Sequence, residues 1–494
     1  MKYISTRGAE AQGVTSAFAI KTGLASDGGL FMPEAIPEIN IDFIKKIADM
    51  SYPERAAEIL SLFLTDYSYD ELLEDAKGAY SDVKFIPSPA PVTDIGDSRY
   101  MLELWHGPTC AFKDMALQIM PRLFSRALRK CDEKRDALIL VATSGDTGKA
   151  ALEGYRDVEG TKIQVFYPID GVSRVQKLQM QTQEGGNVSV VGIVGNFDDA
   201  QTGVKTIFSD ADFSRELNDG GVFLSSANSI NWGRLVPQIV YYISAYCDMY
   251  KMGTIALGES IDVCVPTGNF GNIFAGYIAK LMGTPINKLV CASNKNNVLT
   301  DFLTTGVYDR NRKFHTTMSP SMDILISSNL ERLLYILLGC EKTAEYMKKL
   351  SSEGRYELTE SELKKVQDSF IGYYTDEDVC RETVKDIFEK ENRLIDTHTA
   401  VAVSSATRYM NDYKAKDKML VVSTASPYKF AGDVLLSLSG SKPEDDLLAL
   451  EALNKLTGVE IPSPLASILT KTPKFTCVIE KDAMPEAVRG FALK

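Results

Sequence analysis

The sequence predicts an α/β protein with mostly parallel sheets, and three stretches carry that prediction. Each is a short aliphatic, β-branched run, then a loop rich in Gly, Ser, Thr or Asn, then a helical pattern. In the first, Ala137-Leu138-Ile139-Leu140-Val141-Ala142 meets Thr143-Ser144-Gly145-Asp146-Thr147-Gly148 and a helix through Tyr155. In the second, Ile261-Asp262-Val263-Cys264-Val265 meets Pro266-Thr267-Gly268-Asn269-Phe270-Gly271-Asn272 and a helix through Leu281. In the third, Met419-Leu420-Val421-Val422 meets Ser423-Thr424-Ala425-Ser426-Pro427 and a helix from about Lys429. Ligands of open α/β sheets bind at the carboxyl ends of the strands, where these loops lie.

The remaining elements are taken in chain order. Residues 1–95 form an N-terminal, mainly helical cap: a Gly-rich opening, then Pro33 and Pro37, then helical patterns near 41–50, 53–65 and 69–80. The prolines of Phe85-Ile86-Pro87-Ser88-Pro89-Ala90-Pro91 keep that segment extended. A helix is expected from about Phe112 to Ala127. Short strands at Ile163–Tyr167 and Val188–Val194 place 131–230 in a smaller α/β domain. Residues 96–130 and 231–494 are assigned to a larger one. The charged stretch 341–395 reads as solvated helix faces.

A chain of 494 residues with 45% hydrophobic and 24% charged content has the composition of a folded globular protein. Its net charge of −12 argues against a nucleic-acid surface. No apolar run is long enough to cross a bilayer, and the opening residues carry no signal-peptide pattern. The 8 cysteines show no C-x-x-C spacing and the 3 histidines lie far apart, so reduced thiols, no metal site and a cytoplasmic location are expected.

Four stretches carry chemistry. In His106-Gly107-Pro108-Thr109-Cys110-Ala111-Phe112-Lys113-Asp114, a lysine opens a helix, where the macrodipole disfavours a cation. Packed among Phe112, Trp105 and Met115, its amine would lose solvation, its pKa would fall, and it could condense with an aldehyde. A surface lysine beside Asp114 is the plain alternative. Gly268-Asn269-Phe270-Gly271-Asn272 turns backbone N–H groups toward one point at a helix start, a cup suited to phosphate, although a tight turn would look alike. Thr143-Ser144-Gly145-Asp146-Thr147-Gly148-Lys149 is not a P-loop, since Thr143 and Ala150 break that pattern. It remains a hydroxyl-rich helix start suited to an anion, or an ordinary N-cap. Asn228-Ser229-Ile230-Asn231-Trp232-Gly233-Arg234 offers amides and an arginine able to grip an oxyanion.

Together these motifs resemble the threonine synthase family, in its microbial and fungal branch with a long N-terminal extension. The resemblance runs from Tyr3-Ile4-Ser5-Thr6-Arg7-Gly8 through the four stretches above to Asp396-Thr397-His398-Thr399-Ala400 and Ser423–Phe430. It implies fold type II of the pyridoxal-phosphate enzymes (tryptophan-synthase-β-like), with pyridoxal 5'-phosphate between two α/β domains. It further implies that Lys113 carries the cofactor, that Gly268, Asn269, Phe270, Gly271 and Asn272 wrap its phosphate, and that Thr424 meets its ring nitrogen. Ser144, Asp146 and Thr147 would meet the substrate carboxylate, and Asn228 and Arg234 its phosphate. The implied reaction turns O-phospho-L-homoserine and water into L-threonine and phosphate, by γ-elimination and β-addition of water. A phospho-lyase giving 2-oxobutyrate, or a serine/threonine deaminase, would share the fold and cofactor. A catalytically dead paralogue is the reading from another class. A small-molecule substrate, no nucleic acid, no membrane, and a monomer or homodimer are expected. Two positions depart from the family's motifs: Ser426 stands where S-T-A-H-P-x-K-F has histidine, and Thr397 where D-P-H-T-A has proline.

Overall fold

The computed structural model describes residues 1–143 and 145–494. Two sheets organise the chain. The larger has six strands in the order Phe370–Tyr374, Ile286–Ser293, Ile261–Pro266, Lys418–Ser423, Arg99–Glu103 and Val92–Asp94. All its pairings are parallel except the last, Val92–Asp94 against Arg99–Glu103. The smaller has five parallel strands in the order Val478–Glu480, Val188–Val194, Thr161–Pro168, Asp136–Ala142 and Val222–Ser225. Strands Ile261–Pro266 and Arg99–Glu103 are buried along their whole length, as expected where helices cover both faces of a parallel sheet.

The three predicted strand–loop–helix units form as Asp136–Ala142 with Asp146–Tyr155, Ile261–Pro266 with Gly271–Met282, and Lys418–Ser423 with Pro427–Phe430 and Ala431–Ser439. The last begins as a tight 3-10 turn, since Pro427 sits in its first positions and Ser426 accepts from the Tyr428 N–H.

Four expectations are corrected. The helix expected over 112–127 is two pieces, Asp114–Leu117 and Met120–Lys130, with Lys113 capping the first. Pro121 has no N–H to return to the Leu117 carbonyl, so one helix cannot run through. The N-terminal unit does not reach residue 95, because Val92–Asp94 already pairs in the larger sheet. The C-terminal end of 231–494 leaves the larger unit: Val478–Glu480 extends the smaller sheet, and Met484, Val488 and Ala492 join that sheet's core. Within 341–395, amid the solvated helices, Phe370–Tyr374 is an edge strand of the larger sheet, as its F-I-G-Y-Y composition suits.

The cap consists of a hairpin, Tyr3–Ser5 with Phe31–Pro33, and helices including Ile41–Ala48, Tyr52–Phe63 and Tyr69–Ala79. It docks on the long helix Trp232–Lys251. Trp232 lies between the rings of Tyr3 and Phe63, at 5.6 and 5.8 Å. Each such fully buried large side chain stabilises the contact by about 1.5–3 kcal/mol. Buried Arg55 donates to Ser244 Oγ at 2.8 Å and Asp248 Oδ1 at 2.7 Å on that helix. No helix among the described residues is long and apolar enough to cross a membrane.

Candidate active site

Lys113 sits on a turn pinned to the larger sheet. The Phe112 N–H donates to the Thr424 carbonyl at 2.8 Å, and the Ser426 N–H to the Cys110 carbonyl at 3.0 Å. The turn is held from within by Asp114, which accepts from the Thr109 N–H at 2.8 Å and the Thr109 hydroxyl at 2.7 Å. Burial raises the Asp114 carboxyl to about 6, against those two bonds. Phe112 lies 5.4 Å from Lys113 Nζ. Burial lowers the Lys113 amine; Asp146 opposes that, while Lys429 and Arg234 push the same way.

Asp146, at the start of its helix, lies between two lysines. Its Oδ1 is 2.9 Å from Lys429 Nζ and its Oδ2 is 3.5 Å from Lys113 Nζ. Gln176 Nε2 adds a bond of 2.9 Å. Burial alone would raise this carboxyl, but the two lysines outweigh it and hold it well below the carboxylate range. Asp146 was expected to face a substrate carboxylate; its side chain instead neutralises lysines. The Lys429 side chain is fully buried and also donates to the Thr109 carbonyl at 3.1 Å and Gln179 Oε1 at 3.0 Å.

Gly268–Asn272 forms the expected concave loop. Phe270 takes a left-handed conformation with φ of 60°, which turns the chain into the helix Gly271–Met282. No N–H from Gly268 to Asn272 has a partner among the described residues. Asn272 accepts from both Tyr241 and Tyr242 hydroxyls at 2.6 Å through Oδ1, so its Nδ2 is the free end, buried and without a partner. The loop is braced from behind. Ser327 Oγ donates to the Gly268 carbonyl at 2.7 Å, and Asn329 N–H and Nδ2 donate to the Asn269 carbonyl at 3.1 and 3.0 Å. A Cβ on Gly268 would meet the Ser321 carbonyl at 2.8 Å, so the turn Pro320–Met322 closes over this loop.

Arg234 is buried and has no carboxylate partner among the described residues. One nitrogen donates to the Ala227 carbonyl at 2.8 Å, Nε has no partner, and burial pushes the guanidinium down to about 10. It stays charged near neutrality and is one of the cations acting on Lys113. Asn228 is exposed one residue beyond the carbonyl Arg234 holds. Thr147 is half-buried in the first turn after Asp146, and Thr424 is buried at the end of its strand. Ser144 lies outside the described residues.

Sequence reasoning assigned no part to Lys429, Ser321, Gln176 or Asn329. Lys429 stands in the quoted third-strand motif, and the apolar Tyr428 and Phe430 around it were its signal. Ser321 Oγ is 3.5 Å from Lys113 Nζ and 3.4 Å from Asp146 Oδ2. Its N–H donates to His398 Nε2 at 3.1 Å, and His398 Nδ1 faces Asp396 Oδ2 at 2.8 Å. A backbone donor at Nε2 makes that nitrogen the acceptor and puts the ring proton on Nδ1, toward Asp396. Thr397 is the first residue of its helix, where proline would also fit, and its hydroxyl donates to the Met318 carbonyl at 2.6 Å.

Two family models match the chain: "Threonine synthase N terminus" over residues 2–80 and "Pyridoxal-phosphate dependent enzyme" over residues 79–425. Threonine synthase of Pseudomonas aeruginosa is 38% identical over 452 residues, 90% of this chain and 92% of its own. The chain belongs to the threonine synthase family. Among solved structures, the PLP-bound threonine synthase from Brucella melitensis has a TM-score of 0.88 at 35% identity, covering 100% of this chain and 99% of that one. Threonine synthase-like 1 of Pongo abelii is 41% identical over 433 residues, 85% of this chain; the chain spans 57% of that relative's length. As in the rest of this family, the fold is type II and the cofactor is pyridoxal 5'-phosphate. The residues present fit that group. A buried amine of lowered basicity suits its aldehyde, and a cup of unpartnered N–H groups with the orphaned Asn272 amide suits its phosphate.

Proposed function

We propose that this chain converts O-phospho-L-homoserine and water to L-threonine and phosphate. One observation supports this reading over a serine or threonine deaminase: the site holds two separate places for an anion. Gly268–Asn272 suits the cofactor phosphate, which leaves Arg234, a buried cation without a counter-ion, for a second one. A serine or threonine deaminase has no phosphate to place there. A phosphorylated amino acid does.

In this reading pyridoxal phosphate, bound through Lys113, supplies a ring that stores the charge left when protons depart. The chain's residues do the rest. Backbone N–H groups of Asp146 and Thr147, with Ser144, hold the substrate carboxylate at the helix start. The displaced Lys113 amine takes protons from Cα and Cβ; its lowered basicity keeps a neutral fraction available for that work. Arg234 and Asn228 hold the substrate phosphate and steady it as it leaves Cγ. Cγ takes up a proton in its place and becomes the methyl group, water adds at Cβ, and Lys113 returns a proton to Cα. Ser321, next to the amine, helps to exclude water until that step. Thr424 would meet the ring nitrogen. Eight free cysteines support a reducing compartment, the cytoplasm.

The test is one incubation with O-phospho-L-homoserine, measuring phosphate, threonine and 2-oxobutyrate, with Lys113→Ala alongside. Phosphate matched by threonine and lost in the variant is the expected result. Phosphate matched by 2-oxobutyrate would move the assignment to a phospho-lyase, and no phosphate release would remove it.

A further inference from the structure

A cavity of about 590 Å³ lies outside the cleft just described, closed by segments around 83–86, 105–110, 149–156, 179–184 and 460–471. Its volume is in the range of small-molecule sites. Neither Lys113, Arg234, Thr424 nor the Gly268–Asn272 loop lines it. The turn carrying Thr109 and Cys110 separates the two.

Two polar groups in its wall have unmet needs. Lys84, half-buried, donates to Gln118 Oε1 at 2.9 Å and has no carboxylate within ion-pair distance among the described residues. Of the other cations of the same wall, Lys149 is answered by Glu153 at 3.0 Å and Arg156 by Glu184 at 3.5 Å, while Lys471 is exposed to solvent. Gln179 is 1% exposed. Its Oε1 takes the Lys429 ammonium at 3.0 Å, which fixes the amide's orientation, and Nε2 has no partner. Burying an amide N–H pair without an acceptor is costly, and an ammonium with a neutral acceptor alone still lacks a counter-charge. The wall also carries Glu460 and the hydroxyls of Thr182, Ser463 and Ser467, and its apolar or planar part is formed by Pro462, Ile468 and the stacked rings of Trp105 and His106, 4.1 Å apart.

We infer that this cavity is a second ligand site, for a small organic monocarboxylate. Lys84 and the Gln179 amide are the donors the wall offers to the carboxylate, with the body of the ligand against the Trp105 and prolyl wall. This site does not rest on the reaction proposed above, and threonine formation is measured independently of it.

The test is a ¹⁹F NMR titration of the cofactor-loaded protein with 4-fluorobenzoate, and with 4-fluorobenzyl alcohol as the uncharged control. Line broadening by the carboxylate alone is expected. Lys84→Met and Gln179→Leu should each weaken binding by about tenfold or more, as for a lost charge-assisted hydrogen bond. Arg234→Met, which alters the cleft, should leave it unchanged. Lys84→Met, remote from the chemistry, should turn over substrate as the wild type does. Should Gln179→Leu fold poorly, Lys84→Met decides alone. Three results overturn the proposal: no broadening at about 10 mM, a concentration that fills even a millimolar site; equal binding of the alcohol; or binding lost in Arg234→Met and kept in Lys84→Met.

Discussion

Asp146→Asn tests the charge arrangement around Lys113 most directly. The carboxylate lies 2.9 Å from Lys429 Nζ and 3.5 Å from Lys113 Nζ. At an effective dielectric of about 20, unit charges at those separations attract by about 6 and about 5 kcal/mol. Burial of the carboxylate opposes this, and neutralising one partner of a buried pair has a net cost of about 3–5 kcal/mol. Asparagine keeps the shape and can still meet Gln176, so the loss reports charge. Lys429→Met should also destabilise, by less, because Lys113 at 3.5 Å and Gln176 still face the carboxylate. In the double variant no unpaired charge remains at that contact. Its destabilisation should therefore fall short of the sum of the singles by at least about 2 kcal/mol.

Urea unfolding of the four proteins measures this cycle, provided the slopes agree. Additive losses would show that Lys429 and Asp146 do not interact as an ion pair, and would refute the argument. A second readout comes from Lys113. Asp146 supports the charged amine against burial, so Asp146→Asn should lower its basicity further. Amine labelling of cofactor-free protein against pH should move to lower pH; movement upward would contradict the assignment.

Gly154→Ala should destabilise by about 3 kcal/mol or prevent folding, since the new Cβ would sit 1.9 Å from the Leu117 carbonyl, a backbone atom that cannot swing away; soluble yield and urea midpoint measure it. Asn272→Leu should weaken cofactor binding about 10–100-fold, through loss of the amide facing the phosphate, by fluorescence titration. Asp114 gives a pH dependence. Its folded value of about 6 lies above an unfolded value of about 3.9, so between them the folded state binds more protons. Stability should fall by about 2 kcal/mol as pH rises from 4 to 6.5, and Asp114→Asn should remove that fall in chemical denaturation.

The sheet scaffold was legible because its signals are local. Strands such as Ala137–Ala142 end in loops whose Gly, Ser and Thr have no apolar work to do, and helices with the 3.6-residue period follow. Lys113 and Asn272 stood out in the sequence for a related reason: a cation at a helix start and amides in a Gly-flanked loop go against ordinary preference. Two kinds of feature were not. The break after Leu117 depends on a proline four residues on and on a neighbouring helix pressing Gly154 against the freed carbonyl. The role of Lys429 depends on a carboxylate 283 positions away in sequence, reached only when the two sheets meet. Periodicity carries neither fact. The strand Phe370–Tyr374 was hidden differently, by the dense charge on both sides of five residues.

The opening Ser5-Thr6-Arg7 segment is tied by a chain of contacts to the backs of the Gly268–Asn272 loop and of the loop leading to Arg234. Thr6 Oγ1 donates to Glu331 Oε1 at 2.6 Å, and Arg7 grips both oxygens of the same carboxylate at 2.8 Å. Glu331 precedes Arg332, whose fully buried guanidinium donates to Asn329 Oδ1, the Ile230 carbonyl and the Phe31 carbonyl. Asn329 in turn holds the Asn269 carbonyl, and Ile230 lies in the loop that leads to Arg234. The cap therefore braces the backs of both loops, Gly268–Asn272 and the one leading to Arg234, through one helix start. Bidentate pairing of a half-buried arginine with a buried carboxylate sets direction as well as attraction, which a lysine at position 7 would not do. A phosphate cup works only if its N–H groups converge before the ligand arrives. That convergence is imposed here from outside the loop, by residues more than 250 positions earlier in the chain.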